Sequence, residues 1–205
     1  PANGILTINM AIAAANDGDV IQLVVGTYYE GEVVDTLGKA ITIRGVEDVD
    51  GSPLSIIDGA NTHRVLQCVN NESATTVFEN LVIQNGYVDD SIDTGGGMYN
   101  SSSSPTLTNC EFTGNTAFEG GGMSNDGNSS PVLTNCAFRS NTAAEWGGGM
   151  FNISSSNPSL DNCEFTSNTA IDGGGMYNHI NVSPVLTNCN FMDNLAYGFG
   201  GGIGN

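Results

Sequence analysis

Basic residues are almost absent from this sequence. Its 205 residues include four lysines and arginines against 22 aspartates and glutamates, for a formal net charge of −18 at pH 7. Four cations cannot neutralise a phosphate backbone, so nucleic acid is not an expected partner. The deficit also disfavours an anionic polysaccharide substrate unless cations bridge the two acidic surfaces. The other interpretation of the negative charge is that it keeps the protein surface soluble. The basic side chains are Lys39, Arg44, Arg64 and Arg139.

Long apolar runs and helical periodicity are missing as well. No stretch approaches the roughly 20 apolar residues of a membrane span, so we expect no transmembrane segment. No long segment carries the 3.6-residue spacing of an amphipathic helix. Turn-forming residues are abundant instead, with 28 glycines, and such a composition favours many short strands.

One pattern, Pro-x-Leu-x-Asn-Cys-x-Phe-x-x-Asn, occurs four times in the second half of the chain. The copies begin at Pro105, Pro131, Pro158 and Pro184, which are 26, 27 and 26 residues apart. A glycine triplet followed by an apolar residue recurs at 95–98, 120–123, 147–150, 173–176 and 200–203. The period is too short for a WD40 blade and lacks the helices of ankyrin or tetratricopeptide units. We therefore predict an all-β parallel solenoid with one coil per repeat.

Equivalent residues of stacked coils should form columns about 4.8 Å apart. Leu107, Cys110 and Phe112 are expected to point inward, and Asn109, which interrupts the alternation, is expected to bend the chain in a left-handed conformation. Strands are predicted at about 96 to 100, 104 to 109 and 110 to 115 of this coil. The predicted structural ladders are Asn109, Asn135, Asn162 and Asn188; Asn115, Asn141, Asn168 and Asn194; Phe112, Phe138, Phe165 and Phe191; and Cys110, Cys136, Cys163 and Cys189.

The repeated cysteines suggest zinc or disulfides, which the column geometry disfavours. Stacked thiols would be further apart than the Cβ spacing of about 3.8 Å in a disulfide. The sequence contains no Cys-x-x-Cys motif and no paired histidines. We therefore predict buried free thiols that act as small apolar residues.

The first half of the chain is a degenerate version of the same design. We predict a single domain over 1–205, with an N-terminal cap at 1–19, irregular coils at 20–94 and regular coils at 95–205. A short helix at 8–15 would cap the apolar core, and the coils would number about seven. The segment 200–205 begins a coil and stops, and an uncapped parallel stack is a template for pairing. Head-to-tail self-association is therefore expected, with Pro1 to Thr7 of a neighbour adding a strand.

Two parts of the sequence resemble known families. The repeats containing Phe112-Thr-Gly-Asn115 and its equivalents resemble those of chlamydial polymorphic outer-membrane proteins, which are surface adhesins. The opening, including Gly26-Thr-Tyr28 and Gly38-Lys-Ala-Ile-Thr-Ile43, is similar to the start of many bacterial right-handed β-helix proteins of pectin-lyase-like fold. The resemblance covers nearly the whole chain. It implies a right-handed parallel β-helix in an extracellular or cell-surface location.

Two groups of carboxylates are candidates for a calcium site. Asp89, Asp90 and Asp93 form a dense cluster in the insertion before the first glycine triplet. Carboxylates on a loop can bind calcium, and a solvated loop is the other interpretation. The second group is Glu119, Glu145 and Asp172, each four residues after a repeat asparagine. Stacked carboxylates repel one another, so either salt screens this column or calcium bridges it.

Three aromatic residues follow the methionines of the glycine motifs and could stack on sugar rings. They are Tyr99, Phe151 and Tyr177, and Ser124 interrupts the row. No catalytic residue is assigned: Arg139 lies at a variable repeat position, and His63 and His179 are isolated in the sequence.

The leading interpretation is a secreted or cell-surface structural or adhesive protein without catalytic activity that assembles end to end into a filament. The alternative is a polysaccharide-binding β-helix or a polysaccharide-degrading lyase or hydrolase. Enzymes that resemble this fold use a basic residue near bound calcium or a pair of carboxylates. The expected partners are a second copy of the chain and host or matrix glycans or surface proteins. No cofactor is required, and calcium is the one cation considered.

Overall fold

The computed structural model describes residues 7–89 and 93–205. These residues form one short helix, α1 (Ile8–Ala14), and 23 strands, and the paired strands all run parallel. The chain winds through seven coils, and each strand pairs with its equivalents in the neighbouring coils. The fold is therefore the predicted all-β parallel solenoid with a short N-terminal helix.

The largest of three sheets has 12 strands and contains both arms that flank the repeat Asn-Cys pair. We call it sheet 1. Its strands are β1 (Val20–Gln22), β2 (Gly26–Tyr28), β4 (Thr42–Arg44), β5 (Ser55–Asp58), β7 (Val77–Gln84), β9 (Thr106–Thr113), β12 (Val132–Thr134), β13 (Ala137–Arg139), β16 (Ser159–Asp161), β17 (Glu164–Thr166), β20 (Val185–Thr187) and β21 (Asn190–Met192).

Two smaller sheets complete each coil. Sheet 2 consists of β10 (Thr116–Glu119), β14 (Thr142–Trp146), β18 (Thr169–Ala170) and β22 (Leu195–Ala196). Sheet 3 consists of β3 (Val34–Asp35), β6 (Leu66–Cys68), β8 (Met98–Ser101), β11 (Met123–Asp126), β15 (Met150–Asn152), β19 (Met176–Asn178) and β23 (Ile203–Gly204). The sequence pattern did not predict sheet 2, because its strands are short and carry no strong alternation.

The left-handed bend predicted at the repeat asparagine is present. Asn109 has a φ of 51°, and Asn135, Asn162 and Asn188 have φ values of 54°, 54° and 52°. Asn80 has the same conformation in the irregular third coil, with a φ of 57°. Because β7 and β9 pair on both sides of this bend, the irregular coils continue into the regular ones in the predicted register.

Inward side chains fill the solenoid as columns. The rings of Phe112 and Phe138 stack with centroids 4.8 Å apart, and Phe138 and Phe165 stack at 4.6 Å. The other inward side chains of these coils are fully buried as well: Met98, Met123, Met150 and Met176 of sheet 3 and Leu107, Leu133 and Leu160 of sheet 1. The burial of identical apolar side chains, stacked from coil to coil, therefore supplies most of the stability of the solenoid.

Helix α1 closes the first coil. Its Ile8 and Ile12 are buried in the core, and the Thr7 hydroxyl accepts a hydrogen bond from the Met10 amide at 3.0 Å. At the other end Lys39 Nζ donates to the carbonyls of Ile12, Ala13 and Ala15. A cation at the helix C-terminus meets carbonyls that lack partners within the helix, so this contact fixes the cap.

The apolar side chains of the last coil are less buried than their equivalents in the preceding coils. Leu186, Cys189, Phe191 and Ile203 are only partly buried.

None of the helical segments within the described ranges is long and apolar enough to span a membrane.

Candidate functional site

The glycine triplets turn the chain sharply from sheet 2 into sheet 3. The first glycine of each triplet has a positive φ, for example 65° at Gly147. At the third glycine the backbones are in close contact, since a Cβ on Gly149 would lie 2.5 Å from the Gly175 carbonyl oxygen. Only glycine fits such an approach. The turn brings the residue before the triplet close to outward side chains of sheet 3.

The residues that precede the triplets form an outer column: Thr94, Glu119, Trp146, Asp172 and Phe199. Trp146 pairs with Glu119 across sheet 2 and bridges to Asp172 on its other side. We expected Glu145 at this position, between Glu119 and Asp172. The structure corrects that expectation, because a β-bulge follows the Ala117–Ala143 pair and accommodates the extra residue of this 27-residue coil.

The outward residues of sheet 3 form the neighbouring column. Tyr99, Ser124, Phe151 and Tyr177 are consecutive register partners, so the sequence placed them in one row. Phe151 is 1% exposed and therefore cannot contact a sugar, contrary to expectation. The Arg64 guanidinium lies over the Tyr99 ring, 4.9 Å from its centroid. Tyr177 remains half-buried and reaches the surface.

Trp146 covers Phe151 and joins the two columns into one aromatic surface. Its ring stacks on Tyr177 with centroids 5.5 Å apart and an interplanar angle of 13°. It is tilted against Phe151 and against His179, each at 5.9 Å. We call these four residues the aromatic platform. The sequence reading missed Trp146 and treated His179 as isolated, because nothing in the repeat indicates that the bulge brings them together.

Residues with carboxylates flank Trp146 along the outer column. Glu119 lies on one side of Trp146 and Asp172 on the other, while Glu145 precedes it in the bulge. Burial raises the pKa of Glu119, and the negative charges of Glu145 and Asp126 raise it further. Like charges that lie close together shift a carboxyl pKa in this direction.

The chain's basic side chains are engaged elsewhere. Arg44 pairs with Glu79, Arg64 with Asp93, and Lys39 binds the helix carbonyls. Arg139 lies between Glu111 and Glu164, with nitrogen to oxygen distances of 3.8 Å and 2.6 Å. Across the residues that the structure describes, no ion pair reaches Glu119, Glu145 or Asp172.

A concave region lies on the irregular coils, with a volume of about 550 Å³. Its lining includes His63, Arg64, Tyr87, Asp89 and Asp93. A hydrogen bond with Asp89 raises the pKa of the Tyr87 hydroxyl. Arg64 donates to the carbonyl oxygens of Gly95 at 3.0 Å and Thr94 at 2.7 Å. These bonds fix the backbone of Thr94 and Gly95 beside the concave region. We call this region the N-terminal cleft.

Asp90 of the predicted calcium cluster lies outside the described residues, while Asp89 and Asp93 line the N-terminal cleft. Within 7–89 and 93–205, no three histidine, cysteine, aspartate or glutamate side chains are grouped so that they could hold a metal ion. Calcium at either carboxylate group stays a prediction.

The second asparagine ladder is an internal hydrogen-bonded column. Asn115 Nδ2 donates to Asn141 Oδ1 at 3.0 Å, and the pattern repeats to Asn168 and Asn194. Each amide also donates to a phenylalanine carbonyl or its equivalent, as Asn141 does to Phe112 at 2.9 Å. These bonds satisfy polar groups that burial would otherwise leave unpaired.

The first asparagine ladder lies on the outer surface. Asn109 Nδ2 donates to Asn80 Oδ1 at 3.0 Å and Asn162 to Asn135 at 2.6 Å, while Asn188 donates to Asp161. These side chains are half-buried or exposed. Their main contribution is the left-handed bend rather than satisfaction of buried groups.

A third asparagine column lies inside sheet 3, and the sequence analysis missed it. Asn100, Asn125, Asn152 and Asn178 each donate Nδ2 to the Oδ1 of the next asparagine, at 2.8 to 2.9 Å, and Asn205 accepts the last of these bonds. The signal was the asparagine two residues after each apolar residue of the glycine motif. In the coil before Asn100, Cys68 occupies the position, and Asn100 Oδ1 has no partner among the described atoms.

All five cysteines are free thiols, and four are buried. In the repeat column each thiol donates to a carbonyl of the preceding coil, as Cys136 Sγ does to Leu107 O at 3.7 Å. Burial raises the pKa of the Cys136 thiol well above its ordinary value. Neither zinc nor disulfide chemistry is needed to explain the column.

The fold and its outer face define a parallel β-solenoid with an aromatic surface on one side. The family described as "Right handed beta helix region" matches residues 64–203. The chain therefore belongs to the right-handed β-helix family. Searches of curated proteins and of solved structures gave no match. The family includes structural and adhesive proteins as well as polysaccharide-active ones. Membership therefore does not decide between these functions, and the function must be inferred from the site.

Proposed function

We propose that this chain is a secreted or cell-surface adhesive protein that binds glycans through the aromatic platform. The observation that carries the proposal is the Trp146 ring lying nearly parallel to Tyr177 on the outer face. Flat aromatic surfaces stack on the apolar faces of sugar rings, and half-buried Trp and Tyr combine an apolar body with a polar group.

The scaffold supports this role by holding the platform rigid. Phe151 lies under Trp146 and is fully buried, and Phe151 and Tyr177 sit on paired strands of sheet 3. The buried Asn152 to Asn178 hydrogen bond fixes those strands from inside. A site whose side chains are already ordered loses little conformational entropy on binding.

Affinity electrophoresis against a panel of soluble polysaccharides tests the proposal. We expect wild-type protein to be retarded by at least one glycan and Trp146→Ala to bind about tenfold more weakly. Tyr29→Ala is the matched control, because Tyr29 is 66% exposed but lies in the first coil. Equal effects of the two variants, or no retardation by any glycan, would contradict the proposal.

The N-terminal cleft favours a second candidate function, polysaccharide degradation. It combines His63, Arg64 and Asp89, and a histidine is suited to act as a general base near neutral pH. Incubation with the same panel should then yield new reducing ends or unsaturated products, and His63→Ala should abolish them. Binding without any product supports the adhesive function alone.

End-to-end association into a filament also remains a proposal. Partly buried Phe191, Leu186 and Ile203 in the last coil are the apolar groups that a second copy would cover. Sedimentation at increasing protein concentration tests it: a rising average mass supports assembly, and a constant monomer mass at high concentration rejects it.

A further inference from the structure

We propose that the glycan bound by the aromatic platform is cationic, specifically a polymer of sugars that carry free amino groups. The inference rests on the proposed function and adds the chemical class of the ligand. Its basis is that the platform combines half-buried aromatic rings with carboxylates that, among the described residues, form no ion pair with a basic side chain.

The geometry places negative charge on each side of the central ring. Glu119 and Asp172 are the strand neighbours of Trp146, so each Cα lies about 4.8 Å away along the solenoid axis. The Asp172 carboxylate also accepts the Phe199 amide at 2.7 Å through one oxygen, which holds that side chain in place. A ligand stacked on Trp146 would therefore lie between two residues that carry carboxylates.

Aromatic rings and carboxylates attract the same kind of group. The face of a tryptophan or tyrosine ring is negative, so it attracts an ammonium group, and a nearby carboxylate adds a charge-assisted hydrogen bond. Burial raises the pKa of Glu119 most, and the negative charges of Glu145 and Asp126, which raise it further, would be offset by such a cation.

Glycans of other charge fit less well. A polymer of uronic acids would meet the field of a chain with a net charge of −18 and would be repelled. A neutral glycan could stack on Trp146 and donate hydroxyl hydrogen bonds to the carboxylates, but it would lack the attraction between opposite charges. Charge complementarity therefore selects the amine-bearing class.

The chain contains a single tryptophan, so its fluorescence reports on this site alone. The experiment titrates the full chain with three tetrasaccharides: glucosamine, N-acetylglucosamine and galacturonate. We expect the glucosamine tetramer to change the emission of Trp146 and to bind about tenfold more tightly than the acetylated tetramer. Its affinity should fall as salt rises from about 0.05 M to about 0.5 M, because exposed charges are screened.

Two charge variants separate a built site from general attraction. Glu119→Gln, Glu145→Gln and Asp172→Asn together should weaken glucosamine tetramer binding about tenfold. The control changes Glu47→Gln, Asp48→Asn and Asp50→Asn, which lie in the loop between β4 and β5, three coils from Trp146. This control removes the same charge and should alter the affinity less than about twofold. Circular dichroism verifies that both variants are folded.

Each outcome decides between the proposals. If the acetylated or galacturonate tetramer binds as tightly as the glucosamine tetramer, the charge inference is wrong while glycan binding stands. If both charge variants weaken binding equally, the attraction is general and the inference is wrong. If none of the three tetramers, and none of the panel polysaccharides, binds or alters Trp146 emission, the proposed function fails as well.

Discussion

Asn141 shows how a single residue holds neighbouring coils together. Its Oδ1 accepts the backbone and side-chain amides of Asn115, and its Nδ2 donates to the Phe112 carbonyl. We expect Asn141→Ala to lower the free energy of unfolding by about 3 kcal/mol, because it leaves several buried groups without partners. Urea unfolding measures the change. Asn190→Ala, at an exposed position of β21, should cost less than about 0.5 kcal/mol, and a similar loss in both variants would contradict the account.

Glu72 is a buried carboxylate that forms no ion pair with any basic side chain the structure describes. Burial alone would raise its pKa, but hydrogen bonds from the Thr36 hydroxyl and from the Asn70 and Gly38 amides hold the pKa below its ordinary value. Ser103 Oγ donates to it as well, at 2.9 Å. One carboxylate thereby ties together three successive coils.

This lowered pKa makes stability depend on pH in a defined direction. The folded state binds the proton less tightly than the unfolded state, so the stabilisation is complete above the unfolded pKa of about 4.3. It is lost as the pH falls through the folded value. We expect Glu72→Gln to be less stable than wild type at neutral pH and to lose less stability on acidification. Thermal unfolding across pH measures this, and parallel pH profiles for both proteins would contradict it.

At the scale of the element, the turn between sheets 2 and 3 depends on backbone contact. A Cβ at position 149 would lie 2.8 Å from Phe165 Cδ1 as well as against the Gly175 carbonyl. We expect Gly149→Ala to cost about 3 kcal/mol in chemical unfolding. Gly202 is the equivalent residue of the last coil, where the nearest atom would be Phe191 Cβ at 3.5 Å. Gly202→Ala should be nearly neutral, and equal costs would mean that the contact is not the cause.

The cysteine column should be chemically inert in the folded protein. Cys110, Cys136 and Cys163 are buried, and only Cys189 of the column is half-buried. Because the thiolate is the reactive form, burial slows labelling of the column, and so do the raised pKa values of Cys136, Cys163 and Cys189. We expect at most one thiol to react with a disulfide reagent in native protein and all five to react after unfolding. Rapid native labelling of several thiols would show that the column opens readily.

The whole molecule is modular because each coil contacts mainly its two neighbours. Deleting residues 111–136 joins Cys110 to Ala137, and the neighbouring coils then meet in the original register. We expect this variant to fold cooperatively with reduced stability, since one coil interface is lost. Deleting residues 111–123 breaks the register and should prevent folding. Circular dichroism and thermal unfolding distinguish the two, and equal behaviour would contradict a stacked repeat.

The sequence by itself determined the solenoid. Repeated Leu107, Cys110 and Phe112 positions specified the inward face, and the repeat asparagine specified the bend, because both follow from local alternation and backbone preference. The capping helix was also predictable, since a short apolar segment before the first coil has one exposed core to cover. These features depend on residues close together in the chain.

The tertiary structure alone decided the site. The bulge in β14 exchanged Glu145 for Trp146 in the outer column, and the glycine turn then brought that ring over Phe151 and Tyr177. A one-residue shift between coils reverses which side chains face outward, yet it barely disturbs the repeat in the sequence. The contacts of Trp146 with Phe151 and Tyr177 depend on the angle at which the glycine turn joins sheet 2 to sheet 3. The repeat in the sequence does not specify that angle, so these contacts could be identified only in the folded chain.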